Sequence, residues 1–392
     1  MVNNPKHVKE PLVHLTRRLN FPPKYAWLIR IGAFILSILV CCLVSCLLSS
    51  KVSFGFFFKY LFEGAFGSTM LVKTLLRDMA LYLLLALAVT PCFQMRFWNI
   101  GGEGQAMMGA FGCSLVISYT SSLPIWATIL LSFVAALAMA VIWAVVPALF
   151  KAKWNTNETL LTLMFNYIAV CLGAYLIKKV APKGTGILNF ETGTLASVGA
   201  NSFWIIVSTV AVLTVVMFIY QKYSKHGYEI SVVGEAPNTA RYVGINTKKV
   251  IIRTLFLCGL LSGVAGFLLV SVKDASFLSD STTQSTVAGR GFTAVLISWL
   301  AHFDPLAMVL TSFLVVFINR GANQVGNKAR LGNSYAGMMV GIFFFFIIAT
   351  EFFINFKINF RPRTESKPKA AEEPAMTEQK PEEQEKEKEE QA

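Results

Sequence analysis

The sequence has few charged residues and lacks the residue patterns that mark enzymes and metal sites. Charged residues make up 15% of its 392 residues, whereas a soluble domain usually carries about 25%. The four histidines are not spaced with Cys, Asp or Glu as metal ligands, and the seven cysteines include no zinc-type C-x-x-C pair. There is also no G-x-S-x-G nucleophile elbow and no G-x-x-x-x-G-K-[ST] phosphate loop. The sequence therefore indicates no enzyme chemistry, no metal, no cofactor and no ATP binding of its own.

Long apolar runs are what the chain has instead. Hydrophobic residues make up 55% of it and the mean hydropathy is +0.57, and roughly 20 apolar residues are enough to cross a bilayer. The pattern predicts an all-α polytopic membrane protein with about ten transmembrane helices, at 27–50, 70–93, 105–120, 124–149, 159–177, 203–221, 250–271, 289–303, 305–320 and 334–354. The eighth and ninth are short and are separated by His302-Phe303-Asp304-Pro305, so a broken or re-entrant pair is the alternative.

The net charge of +13 indicates membrane topology rather than nucleic-acid binding. Basic residues flank the first and last spans and recur in residues 222–250. Because basic flanks stay on the cytoplasmic side, both termini and residues 222–250 are predicted to be cytoplasmic, with anionic membrane lipid as a partner. The predicted organisation is a basic leader (1–26), a transmembrane domain (27–357) and a disordered charged tail (358–392).

A polar, glycine-rich stretch from Trp98 to Gln105 separates two apolar runs. A backbone without helical hydrogen bonds is tolerated in a bilayer only where it is buried in protein or lines a water-filled cavity. The stretch therefore predicts part of a solute path; a tight glycine turn is the alternative. For Asn166 the alternative is hydrogen bonding between helices, and for Glu158 it is a helix start capped by Asn155 or Thr156. The side chains predicted to line the path are Trp98, Asn99, Glu103, Gln105, Glu158 and Asn166.

A second polar segment, from Gly234 to Asn246, lies in the predicted cytoplasmic loop. Pro237 can begin a helix there and Gly244 can end it, with Ala236 and Ala240 on one face. A short cytoplasmic helix of this kind suits a groove on a partner and can pass motion to the spans; an ordinary basic loop is the alternative. The residues predicted to carry this coupling are Gly234, Glu235, Pro237, Ala240, Arg241 and Gly244.

Two features near the second span are interpreted as interfacial. Residues 51–69 are rich in Phe and predict a helix on the surface of the outer leaflet. The charged residues Lys73, Arg77 and Asp78 are interpreted as groups that snorkel to the membrane boundary rather than as contacts for a solute.

These segments resemble the motifs of a family of bacterial ABC importer permeases, which serve branched-chain amino acids, ribose and nucleosides. Residues 99–105, N-I-G-G-E-G-Q, resemble the family signature F-N-I-G-x-E-G-Q, and residues 234–245 are similar to its coupling loop, G-E-N-x-x-A-A-x-Y-x-G-I. The matching segments occur in the same order as in the family, from about residue 70 to 354. Among the branches of the family, the chain most resembles the permeases for nucleosides and riboflavin. Further matches are Asn157-Glu158 with Asn166-Tyr167-Ile168-Ala169, Gly263-Val264-Ala265-Gly266 and Gly291-Phe292-Thr293-Ala294.

The resemblance implies the membrane subunit of an ATP-driven importer in the bacterial inner membrane, taking up purine nucleosides, with riboflavin or a sugar as alternative cargo. It also implies three partners: a separate ABC ATPase, a second permease subunit of the same or a related chain, and an extracytoplasmic substrate-binding lipoprotein. The alternative class is an ion-coupled secondary transporter, which would need intramembrane carboxylates. The departure from the family pattern at Trp98 keeps an aromatic residue, whereas those at 297–305 and 314–317 fall where a solute could pass and leave the cargo open.

Overall fold

The computed structural model describes residues 13–17, 22–120, 122–181, 186–197, 199, 201–279, 286–332 and 334–360. The chain divides into two units. The smaller contains strands β1 (Val13–Arg17) and β4 (Phe356–Phe360), which pair antiparallel with Val13 opposite Phe360. Most of the predicted leader, and the predicted tail beyond residue 360, lie outside the described residues.

The larger unit, Lys24–Glu351, is almost entirely helical, so the predicted all-α polytopic class is confirmed. A π-helical stretch, Leu268–Asp274, continues the tenth helix, and the short strands β2 (Ile187–Asn189) and β3 (Ser276–Leu278) pair antiparallel. The helices are α1 (Pro23–Leu48), α2 (Phe54–Phe66), α3 (Thr69–Gln94), α4 (Gly102–Tyr119), α5 (Ile125–Trp154), α6 (Glu158–Val180), α7 (Ser202–Tyr223), α8 (Lys225–Glu235), α9 (Pro237–Tyr242), α10 (Thr247–Phe267), α11 (Arg290–Leu300), α12 (Pro305–Ala329) and α13 (Ser334–Asn355).

Among the described residues, eight helices are long and apolar enough to cross a membrane: α1, α3, α5, α6, α7, α10, α12 and α13. They correspond to eight of the predicted spans, and the predicted third span is α4. The predicted eighth span is α11, whose 11 residues extend about 16 Å and cannot cross a hydrocarbon core of about 30 Å. Helix α12 has 25 residues, so only the first member of the suspected re-entrant pair is short.

Small residues bring α4, α5 and α10 into backbone contact. The alanines at every fourth residue from Ala136 to Ala148 on α5 are fully buried. A Cβ atom at Gly263 of α10 would lie 2.9 Å from the Cα atom of Leu137 on α5, and one at Gly109 of α4 would lie 3.0 Å from the Cα atom of Gly263. Because lipid tails are as apolar as these side chains, close packing is what holds membrane helices together. The spacing of the small residues therefore sets how near the three helices lie.

The Phe-rich segment after the first span forms α2, and one of its faces packs on α12. Ser53 caps its first turn with its hydroxyl group. A Cβ atom at Gly64 would lie 2.7 Å from the Cβ atom of Gln324, and the rings of Phe62 and Phe317 have centroids 5.5 Å apart. Helix α2 thus belongs to the helical bundle on this face.

The interpretation of Asp78 as a snorkelling group is wrong. Asp78 is 5% exposed and forms an ion pair with Arg320 of α12. A carboxylate enters an apolar interior when a charged partner and hydrogen bonds replace its hydration. Its partner lies 242 residues along the chain, and no local pattern in the sequence indicates this pairing.

Candidate functional site

The polar stretch between α3 and α4 turns back into the bundle. Helix α3 ends at Gln94, the chain continues without helix through Trp98, and α4 begins at Gly102. Asn99 is fully buried, and Gly102 lies against Val89, which is upstream of the end of α3. Helix α4 therefore begins inside the protein, where its unpaired first-turn amides need protein partners.

The side chain of Asn99 connects this stretch to α10. Its Oδ1 atom accepts hydrogen bonds from the backbone amide of Gly101 at 3.1 Å and from Nε2 of Gln105 at 3.3 Å, and its Nδ2 atom donates to the sulfur of Cys258 at 3.2 Å. The Oε1 atom of Gln105 in turn accepts from Cys258 at 3.1 Å and from the hydroxyl group of Ser262 at 3.4 Å. The two amide side chains thus join the start of α4 to α10.

Asn166 of α6 holds the same turn from the other side. Its Oδ1 atom accepts a hydrogen bond from the backbone amide of Gly104 at 2.8 Å, and its Nδ2 atom donates to the carbonyl oxygen of Ile100 at 3.0 Å. Residue 104 must be glycine here, since a Cβ atom would lie 2.7 Å from Oδ1 of Asn166. Asn166 therefore acts as a helix cap for α4 that is supplied by a different helix.

Glu103 of α4 caps the short helix α11 in the same manner. Its two carboxylate oxygens accept hydrogen bonds from the backbone amides of Gly289 at 2.8 Å and Gly291 at 2.7 Å. Residue 103 is 5% exposed, and a Cβ atom at Gly291 would overlap its backbone. A negative charge at a helix N-terminus is stabilised by the helix dipole, which accounts for a carboxylate at this depth.

Glu158 lies apart from this cluster, at the first residue of α6. It forms an ion pair with Lys151 at 2.8 Å. The cap of α6 is Asn157, whose Oδ1 atom accepts from the backbone amide of Thr159 at 3.0 Å. The cap is therefore neither of the two residues suggested by the sequence, and Asn155 instead ends α5 in the left-handed conformation.

The first turn of α4 thus gathers four of the six predicted path residues, namely Asn99, Glu103, Gln105 and Asn166. In the part of the chain that the structure describes, their polar atoms bond to protein neighbours on α6, α10 and α11. This arrangement matches the alternative of hydrogen bonding between helices. A contact of these side chains with a solute stays a prediction.

The predicted coupling segment contains two helices rather than one. Helix α9 begins with Pro237 at its first position, and Gly244 after it has a φ angle of 87°, as the proline and glycine signals predict. Ala240 is fully buried, whereas Tyr242 is 93% exposed. Gly234 and Glu235 belong to the preceding helix, α8, which the sequence analysis missed; the hydroxyl group of Ser224, an N-cap for its first turn, was the available signal.

Gly234 at the end of α8 packs directly on the last residue of α3. A Cβ atom at Gly234 would overlap the carbonyl oxygen of Gln94. The end of α3 also contacts α7, because Nε2 of Gln94 donates to Oε1 of Gln221 at 3.5 Å. The end of α8 and the end of α3 therefore meet backbone to backbone, without a side chain between them.

The same end of the bundle contains the beginning of α1 and the end of α13. Arg30 of α1 pairs with Glu351 of α13 at 2.8 Å, and Nε2 of His302 lies 3.5 Å from the same carboxylate. The hydrogen bond to Glu351 raises the pKa of His302 above its usual value. His302 lines a surface depression together with Gln221 and Lys222, which lie near the end of α7. Because α8 follows α7 directly, this end of the bundle also carries α8.

A cavity of about 460 Å³ lies where α3, α7, α8 and α11 meet at this end. Trp98, the remaining predicted path residue, forms one wall, and the centroid of its ring lies 5.2 Å from that of Trp299 on α11. The sequence analysis did not indicate that Trp98 and the α8 residues share a cavity. The lining residues are Phe93, Gln94, Arg96, Trp98, Gln221, Gly227, Ser231, Gly234, Glu235, Trp299 and Phe303.

A bundle of apolar spans with helix ends capped in its interior and an exposed connecting helix is the architecture of a polytopic membrane protein. The sequence matches the family described as "Branched-chain amino acid transport system / permease component" over residues 71–348. The chain belongs to this family and is accordingly a multi-pass inner-membrane permease subunit of the ABC importer class.

The relatives transport chemically different cargoes according to their names. The sequence is 25% identical over 304 residues to the guanosine ABC transporter permease protein NupP of Bacillus subtilis, covering 75% of this chain and 85% of that protein. It is 26% identical over 306 residues to the glucose ABC transporter permease protein TsgB13 of Haloferax volcanii, covering 74% and 78%. It is 24% identical over 282 residues to the probable riboflavin import permease protein RfuC of Treponema pallidum, covering 68% and 71%. The chain spans 58% of the length of a further, uncharacterized relative from Mycoplasma genitalium.

Proposed function

We propose that this chain is the membrane subunit of an ABC importer that takes up purine nucleosides. Its partners are a separate ABC ATPase, a second permease chain that is a copy of this one or a relative of it, and an extracytoplasmic substrate-binding lipoprotein. The observation that carries the proposal is the backbone contact between Gly234 of α8 and Gln94 of α3, because it links a connecting segment to a transmembrane helix.

The ATPase binds the surface formed by α8 and α9. Tyr242 at the end of α9 and Val243 directly after it are 93% and 65% exposed, which suits burial in a partner groove. Arg241 lies on the same helix and Gly244 follows it. Motion of α9 passes through α8 to Gln94 at the end of α3, and from there to the polar stretch that begins α4.

The cytoplasm is on the side of α8 and α9, with both chain ends on that side. Support comes from the positions of Arg30 at the beginning of α1 and Glu351 near the end of α13, whose side chains are paired at the end of the bundle that carries α8. The basic residues 222–250 agree with this orientation.

A purine nucleoside is supported as cargo by the guanosine-transporting relative and by the aromatic wall at Trp98 and Trp299, on which a flat ring can stack. The six predicted path residues then have two roles. Trp98 contacts the solute, while Asn99, Glu103, Gln105 and Asn166 hold the start of α4 beside the path, and Glu158 anchors α6.

Coupling is tested by the substitution Gly234→Ala in the complete importer reconstituted in proteoliposomes. The new methyl group would overlap the carbonyl oxygen of Gln94 and push α8 from α3, so ATP-driven uptake is expected to fall at least about tenfold while the ATPase still copurifies. The matched control is Gly332→Ala, because Gly332 has open space around it. Equal uptake by the two variants would refute coupling through this contact.

The transporter class and the cargo are tested by uptake of radiolabelled guanosine, riboflavin and glucose. Guanosine uptake that requires the ATPase subunit, and that the other two solutes do not compete away, supports the proposal. Uptake that persists without the ATPase would assign the chain to ion-coupled transport instead. ATP-dependent uptake of riboflavin or glucose alone would retain the importer and replace its cargo.

A further inference from the structure

The cavity between the ends of α3, α7, α8 and α11 has the size and lining of a small-molecule site. Its volume of about 460 Å³ falls within the roughly 300–1,000 Å³ that such sites usually have. Its walls come from four different helices and from the turn that follows α3, so its shape depends on how these elements are packed. A solute bound here would contact both a transmembrane helix and the α8 segment.

Four aromatic rings form one side of the cavity. Trp98 and Trp299 are 46% and 47% exposed, and both lie edge-on to Phe93 with centroids 6.1 Å away. Phe303 stacks on Phe93 with an interplanar angle of 6°. Two half-exposed tryptophans, held in place by the buried ring of Phe93 and the half-buried ring of Phe303, offer preorganised faces on which a flat heterocycle can stack.

Two glutamine amides form the polar side. The Nε2 atom of Gln94 donates to the carbonyl oxygen of Phe303 at 3.3 Å and to Gln221 at 3.5 Å. The Nε2 atom of Gln221 is shielded from solvent and has no hydrogen-bond partner among the residues that the structure describes. An amide that both donates and accepts can pair with the edge of a nucleobase, and an unused buried donor is unfavourable until it finds an acceptor.

The charges around the cavity cancel. Arg96 and Glu235 both line it, which suits a neutral polar ring better than an anion or a cation. The presence of Gly234 and Glu235 in the wall also places the cavity against the segment proposed to bind the ATPase.

We propose that this cavity is a binding site for the flat, neutral heteroaromatic ring of the cargo, with Trp98 and Trp299 stacking on the ring and the side-chain amide of Gln221 turning toward the cavity to bond to the ring edge. The site deepens the proposed function and rests on it for the orientation of the cavity and the identity of the cargo. Because the cavity then lies on the cytoplasmic side of the path, the ring would occupy the cavity while the cargo is being released.

The test is photolabelling with 8-azidoguanosine of the permease–ATPase complex in nanodiscs without the lipoprotein, followed by mapping of labelled peptides. Label is expected on peptides that contain Trp98 or Trp299, with competition by guanosine but not by glucose. The substitutions Trp98→Leu and Gln221→Leu should each reduce it at least about fivefold, the loss expected when one base-stacking or hydrogen-bonding group is removed. Trp98→Phe should retain most of it, because the aromatic face remains.

The matched control is Trp204→Leu, since Trp204 on α7 is 64% exposed and does not line the cavity. Label elsewhere in the permease, or equal label in Trp98→Leu and Trp204→Leu, would overturn the site, even if the intact importer takes up guanosine. Conversely, mapped label in a complex that takes up no nucleoside would support the site and overturn the proposed function. Copurification of the ATPase with each variant excludes misfolding as the cause of lost label.

Discussion

Arg320 of α12 pairs with Asp78 of α3 inside the bundle, and one oxygen of Asp78, Oδ1, has no further hydrogen-bond partner in the described part of the chain. The two helices are thereby joined by charge in addition to packing. The aspartate side chain is 7% exposed and the arginine side chain 32%. Removing Arg320 would therefore leave a buried charge without its partner, whereas removing Asp78 would leave a charge that is partly exposed to solvent.

Asp78→Ala should lower the free energy of unfolding by about 2–3 kcal/mol, less than the roughly 3–5 kcal/mol of a fully buried pair because Arg320 retains some solvent. The double substitution Asp78→Leu with Arg320→Met should recover most of this loss, because no unpaired charge is left. Thermal unfolding in detergent measures both. Glu191→Ala, at an exposed residue, is the control, and a double variant as unstable as Asp78→Ala would contradict the pairing energetics.

Gly263→Val should destabilise the contact of α10 with α5 and α4. The added side chain would meet the backbone of Leu137 at less than 3.0 Å, and overpacking of a tight core costs about 1–3 kcal/mol or more. We expect a lower unfolding temperature and a lower yield of folded protein. Gly341→Val is the matched control, since Gly341 lies in a transmembrane helix with open space around it; similar losses in the two variants would argue against close packing at Gly263.

Glu103→Ala should loosen the start of α11, because the backbone amides of Gly289 and Gly291 lose their acceptors. Each unsatisfied buried amide costs about 1–3 kcal/mol. Glu103→Gln should be milder, since its amide oxygen still accepts one bond. Hydrogen exchange of the α11 amides measures the effect directly, and unchanged protection in Glu103→Ala would disprove the cap.

Stability should depend on pH through His302. Its pKa is raised by the hydrogen bond to Glu351, so its stabilising contribution is complete below about pH 6.5 and is lost as the pH rises through the higher folded-state pKa. His226 provides the opposite case, because burial lowers its pKa and its contribution is lost as the pH falls below about 6.5. Unfolding temperatures of His302→Asn and His226→Asn between pH 5 and 8 should therefore differ from those of the parent with opposite pH trends; parallel trends would count against both assignments.

Much of the membrane architecture follows from the sequence because hydrocarbon imposes one simple requirement, a long apolar helix. Eight of the predicted spans meet it. The bounds of α9 are equally local, since Pro237 presets the first helical residue and Gly244 takes the left-handed conformation that ends the segment. Helix α11 was harder to predict, because its buried start depends on a carboxylate from α4 rather than on its own residues.

The sequence marked the polar residues around the start of α4 but not the atoms to which they bond. Composition alone marks Asn99 and Asn166 as costly in a bilayer, yet their partners are 159 and 62 residues away, and nothing local indicates which atoms will meet. The cavity at Trp98 and Trp299 likewise arises from the packing of four helices. Patterns in one sequence indicate which side chains need partners, and only the tertiary structure supplies them.

The cap that Glu103 places on α11 has a consequence for the order in which the chain is made. Ribosomal synthesis delivers this carboxylate 186 residues before the amide of Gly289 that it will bind. Until then the carboxylate lacks the two amide partners that it has in the folded protein, so the packing of α4 against α11 is completed only after the later half of the protein has been made.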